Sequence, residues 1–186
     1  MRWRWVAAAA AAVVAATSAA APNGPGSRYD GPRLAFEMPA RTSVKEATDV
    51  VADYALDLTL PADAPLKQTI LRLLLSNGKV VDFDVEGVAT AWRNARVRNR
   101  ASWGVHKRRE ERPEITHILG RRFVRLVDEL GSVLGASSQV MLCGSISAHL
   151  VCGVASGPSA DAHAREALLV RILESLTVKK ARPASP

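Results

Sequence analysis

The stretch QVMLCGSISAHLVCGVAS, residues 139–156, carries both cysteines of the chain. It reads as two strands joined by a turn near Gly144–Ser147, with Leu150, Cys152 and Val154 on one face of the second strand. If the turn centres on Ser147 and Ala148, Cys143 and Cys152 face each other, and an exported protein could bridge them with a cross-strand disulfide. In a reducing compartment the same two side chains are simply small, buried and apolar, and that is the expectation adopted. Cys143, His149 and Cys152 lack a fourth partner and match no standard zinc spacing, so no metal is expected.

The other elements follow from local pattern. In YALDLTL, Leu56, Leu58 and Leu60 alternate with Asp57 and Thr59, which is a half-buried strand ended by Pro61. Ser43 and Glu46 form a capping-box pattern and predict a short helix over 44–52. Asp63 is placed to cap a further helix, with Leu66, Ile70, Leu73 and Leu74 as its buried stripe and Asn77-Gly78 as its stop. KVVDFDV then reads as a strand, with Val81, Phe83 and Val85 inward. Pro113 opens a long helix to about Gly135, in which Ile115, Ile118, Leu119, Phe123, Leu126, Leu130, Val133 and Leu134 recur at helical spacing. After Gly157-Pro158, Ser159 caps a final helix with the stripe Leu168, Leu169, Ile172, Leu173 and Leu176. The predicted fold is α+β: a two-layer β-α-β-α-β-β sheet with helices on one face, plus a C-terminal helix.

Positive charge is concentrated between Arg93 and Arg125. Eleven Lys/Arg stand there against Glu110, Glu111 and Glu114, a balance of +8 where the whole chain carries +7. The rest of the chain therefore sums to about −1. A local excess of this size is what a surface for a polyanion would show, although a charge run is also the ordinary form of a solvated face. Residues 87–112 are read as an inserted basic arm. Trp92 and Trp103 lie within it, more simply as packing anchors than as base-stacking platforms.

The first 28 residues are set apart from the folded chain. MRWRW is a basic end, Val6–Ala16 an apolar region, and Ala19-Ala20-Ala21 a cleavage motif of the secretory kind. The absence of Asp and Glu and the presence of Arg2, Arg4 and Arg28 equally fit an organellar presequence. Residues 29–52 then read as linker and short helix, 53–178 as one domain, and 179–186 as a tail. At 186 residues, 48% of them hydrophobic, one domain with a real core is expected.

ALDLTLPADAPLKQTILRLLLSNGKVVDFDVEG resembles the opening of the C-terminal domain of translation initiation factor three. RPEITHILGRRFVRLVDELGSVLG resembles that domain's second helix, and VMLCGSISAHLVCGVAS its closing hairpin. The resemblance covers about 53–157 without the family's N-terminal domain. It implies a monomeric protein of mitochondrial translation that binds ribosomal RNA on the small ribosomal subunit. Lys67, Arg72, Lys79, Arg121, Arg122 and Arg125 would face the RNA. The arm residues Arg93, Arg96, Arg98, Arg100, Lys107, Arg108 and Arg109 would add phosphate contacts. The other reading is an exported interaction protein, secreted or periplasmic, with a Cys143–Cys152 bridge.

Catalysis is not expected. His106, His117, His149 and His163 lack partners at informative spacing, and Asp82 with Asp84 is explained by strand alternation. Neither a phosphate-cradling glycine loop nor a nucleophile elbow occurs. No cofactor and no small-molecule substrate are expected.

Overall fold

A computed structural model describes residues 26–49, 52–79, 106–132 and 135–180, together with positions 87, 89–91 and 93–95. Its strands are β1 (Ser27–Asp30), β2 (Leu34–Met38), β3 (Ser43–Ala47), β4 (Tyr54–Thr59), β5 (Ile70–Lys79), β6 (His106–Glu110), β7 (Glu114–Ile118), β8 (Arg121–Ser132), β9 (Gly135–Ile146), β10 (His149–Pro158) and β11 (Thr177–Val178). The C-terminal helix is Ala162–Ser175, preceded by a 3-10 turn at Ser159–Asp161. Eight strands form one antiparallel sheet in the order β3-β4-β5-β10-β9-β8-β6, with β7 also pairing along β8. A second, three-stranded sheet has the order β1-β2-β11.

Both faces of the large sheet are buried, and successive side chains of one strand enter different cores. On one face Leu56, Leu58, Leu71, Leu73, Leu75, Phe123, Leu142 and Val151 meet the helix residues Leu168, Leu169, Ile172 and Leu173 and the small-sheet residues Leu34 and Phe36. On the other, Ala55, Leu74, Val124, Leu126, Met141, Cys143, Leu150, Cys152 and Val154 pack with Ala89, which lies in a helical segment. The C-terminal helix approaches β10 closely because Gly153 lacks a side chain: a Cβ there would lie 2.6 Å from Leu169 Cδ1. At its end Leu176 N–H donates to the Leu173 carbonyl. The chain then enters β11, where Thr177 pairs with Ala35 and Val178 with Leu34.

The α+β class, the β4 strand, the β9–β10 hairpin and the C-terminal helix with its stripe agree with the sequence expectation. The layer order does not. The expected short helix over 44–52 begins as β3, whose partner is β4 in the register Ser43↔Thr59 to Ala47↔Ala55. The expected helix from Asp63 is a set of turns as far as Thr69, with Ala64 N–H donating to Pro61 O, Lys67 N–H to Ala64 O and Thr69 N–H to Leu66 O. Strand β5 follows, held between β4 and β10. Residues 34–38, expected as linker, supply two fully buried side chains, Leu34 and Phe36. Most of KVVDFDV lies outside the described residues.

The largest correction concerns 113–135. The expected long helix is the β7–β8 hairpin, in register from Glu114↔Arg125 to Ile118↔Arg121, and then the remainder of β8 paired with β9. Leu119 (φ 49°) and Gly120 (φ 73°) turn the chain in the left-handed region that two-residue hairpins use. Apolar residues facing two cores, with a leucine added at the turn, produce the three- and four-residue spacing of a helix by coincidence.

Candidate functional site

The charged groups fall into three environments. In the first, arginines meet carboxylates. Arg72 donates from Nε and Nη2 to both oxygens of Asp57 (2.5 and 2.8 Å) and from Nη1 to Asp49 (3.1 Å). The Asp57 hydrogen bonds hold its guanidinium above the usual arginine range. Arg125, on the same sheet face as Phe123, donates to both oxygens of Glu166 on the C-terminal helix (2.6 and 3.0 Å) and to Glu111 and Glu114 (3.4 and 3.2 Å). Its pKa is raised, chiefly by Glu166. These pairs tie β5 to β4 and the helix to the sheet, and their charge is already met.

In the second environment, charge is buried. Arg93 is 2% exposed, and its Nε lies 4.0 Å from the carboxylate of the equally buried Asp128. Arg165 on the C-terminal helix is 1% exposed; it donates to Pro158 O, Ser138 O and Ser138 Oγ, and burial lowers its pKa. A Cβ at Gly157 would come within 3.2 Å of Arg165 Nη1, so the glycine makes room for this anchor between the helix and the starts of the β9–β10 pairing.

The third environment is open. Arg121 and Arg122 are exposed, and neither has an ion-pair partner among the described residues. Leu119, at the turn between β7 and β8, is 67% exposed, and Ile115 on β7 is 44% exposed. His117, opposite Arg122, is exposed as well. The hairpin therefore ends in an exposed leucine, followed two and three residues on by arginines that have no ion-pair partner among the described residues.

The expected basic surface is thus divided. Arg72, Arg93 and Arg125 belong to ion pairs within the fold. Lys67 is exposed in the loop before β5. Lys79 stands at the end of β5, and Lys107, Arg108 and Arg109 on β6. Arg96, Arg98 and Arg100, with Trp92 and Trp103, lie outside the described residues. Leu119, expected on a helical stripe, is a turn residue, and the glycine after it is the signal of that turn in the sequence.

Cys143 and Cys152 are directly paired on β9 and β10 and form a disulfide, with Cα atoms 4.1 Å apart. The turn centres on Ser147 (φ 51°) and Ala148 (φ 62°), which sets that register. Both cysteines are 0% exposed. This corrects the expectation of two reduced cysteines and occupies the sulfurs that a metal would need. His149 Nδ1 lies 3.3 Å from the Ser76 carbonyl.

No family model matches the sequence, and no curated protein matches it. Among solved structures, the chain is similar to the cyanobacterial PsbP (CyanoP) of Synechocystis sp. PCC 6803. The TM-score is 0.59 at 13% identity, covering 88% of this chain and 99% of that one. It is also similar to a protein of Bacteroides thetaiotaomicron VPI-5482, with a TM-score of 0.54 at 9% identity, covering 83% of this chain and 49% of that one. The chain thus spans about half of the Bacteroides protein. These likenesses show the fold, and it is not that of the C-terminal domain of initiation factor three. Neither stretch expected as one of that domain's helices is helical: residues 63–69 are turns leading into β5, and 114–118 and 121–132 are the strands β7 and β8. The inferences drawn from that resemblance, namely mitochondrial translation, ribosomal RNA and the small ribosomal subunit as partners, and the matrix as location, fall with it.

Proposed function

We propose that the protein is exported to an oxidising compartment, periplasmic or extracellular, and acts there as a small non-catalytic interaction module. The observation that carries this is the Cys143–Cys152 disulfide, buried in the core between the large sheet and the segment holding Ala89. Disulfides persist in oxidising compartments and are rare in reducing ones. The N-terminal pattern is compatible with the same reading: a basic end, an apolar region and Ala19-Ala20-Ala21 are what a secretory leader would show. The non-catalytic reading is supported by the character of the shifted groups. Arg72 and Arg125 are shifted by partners within structural ion pairs, Arg165 and Tyr54 chiefly by burial. None of these arrangements pairs a nucleophile with a base.

Mass spectrometry of the protein from its native cells tests this. The expected result is a mature chain beginning after Ala21, two hydrogen atoms lighter than its reduced form, with neither cysteine alkylated until a reductant is added. A full-length chain whose cysteines are both alkylated under denaturing, non-reducing conditions overturns it.

A further inference from the structure

The tip of the β7–β8 hairpin has features the fold does not require. A leucine in the left-handed region is strained where asparagine or glycine would not be, and Leu119 also leaves 67% of its surface in water. Arg41, Ser147 and Ala148 share the left-handed backbone, so what sets Leu119 apart is that a large apolar side chain stands exposed on it. The flanking charge has the same locality. Arg125, four residues further along β8, is held by three carboxylates, whereas Arg121 and Arg122 meet none among the described residues.

Register places these cations. Arg121 pairs with Ile118 and Arg122 with His117, so the two arginines stand next to the turn on opposite faces of the hairpin. A polyanion lying along one face would reach only one of them. A surface met end-on, with negative charge on every side of the tip, reaches both while receiving the leucine at its centre. A bilayer with anionic headgroups supplies that arrangement without any placed partner residue: the apolar side chain enters the headgroup and acyl boundary, and the guanidiniums meet the phosphates.

We propose that the Leu119 tip, with Arg121 and Arg122, docks the protein weakly and reversibly on an anionic lipid surface. This extends the exported reading by naming the partner surface. It is tested separately, because lipid binding is measured on the purified chain whatever its compartment, and the cysteine state is measured by mass.

The experiment is co-sedimentation of the disulfide-intact chain with vesicles of phosphatidylglycerol and phosphatidylcholine, or of phosphatidylcholine alone. Binding is expected on the anionic vesicles only, at lipid concentrations on the order of millimolar, and it should weaken as salt rises. Arg121→Ser and Arg122→Ser should each weaken binding about fivefold, and Leu119→Ser about tenfold, with circular dichroism and the thermal midpoint showing each variant folded. Lys67→Ser, remote in sequence from the tip, should leave binding unchanged. Equal binding to both vesicle types, no binding to either, or full retention by folded Leu119→Ser overturns the proposal. Tighter binding to single-stranded RNA than to anionic vesicles also overturns it, in favour of a nucleic acid.

Discussion

Two hairpins in the large sheet turn on two residues in the left-handed region, Leu119-Gly120 and Ser147-Ala148, yet they do different work. The β9–β10 hairpin lies in the middle of the sheet, its strands flanked by β8 and β5, and most of its strand side chains are buried. It carries the disulfide and joins both cores. The β7–β8 hairpin shares β8 with that centre, but its other strand and its tip are open to solvent. The same local geometry thus serves as a structural centre in one place and as a projecting surface in the other. What separates them is whether strands flank the hairpin on both sides.

Core substitutions should separate the two most strongly. Phe123 on β8 lies across Gly144 on β9, where the hairpins meet. Phe123→Ala should cost about 3–5 kcal/mol, read as a shift in the denaturant midpoint. Replacing Cys143 and Cys152 together by alanine should cost about 2–3 kcal/mol. In the intact protein, reductant should lower the thermal midpoint in the same direction; equal stability of oxidised and reduced forms would break the claim that the β9–β10 hairpin is the structural centre. Gly144→Ala would place a Cβ 2.7 Å from the Phe123 ring, and a loss of about 1–3 kcal/mol is expected from overpacking.

Smaller effects sharpen the contrast at the turns. Ser147→Asn with Ala148→Gly should gain about 1 kcal/mol by relieving left-handed strain. Leu119→Asn should gain a similar amount but lose lipid binding, a trade not expected at the other turn. Outside both hairpins, Lys179 holds the Asp30 carboxyl below its ordinary value and Arg41 does the same for Asp63. A carboxyl depressed in the folded state stabilises above its unfolded pKa, and that contribution is lost as pH falls through the folded value. Stability should therefore decline slightly below about pH 4, and Asp30→Asn with Asp63→Asn should flatten that slope by a small amount, both groups being exposed.

What the sequence determined on its own were the elements with one simple period. YALDLTL alternates, and the C-terminal stripe of Leu168, Leu169, Ile172, Leu173 and Leu176 keeps helical spacing; each gave the right element. The possible pairing of Cys143 with Cys152 was legible too, because a turn at Ser147-Ala148 makes it geometrically necessary. Tertiary structure alone decided β5 and β8. There Leu71, Leu73 and Leu75 face one core and Leu74 the other, while Phe123 faces one and Val124 and Leu126 the other. A strand buried on both faces loses its alternation, because each face demands apolar residues, and a period of two dissolves into runs that a helix stripe fits as well. Charge was undecidable for a related reason. Sequence counts eleven cations from Arg93 to Arg125, but Glu166, forty-one residues from Arg125, settles that Arg125 is a clamp. Only the folded chain shows Arg121 and Arg122, beside Leu119, without a carboxylate partner among the described residues.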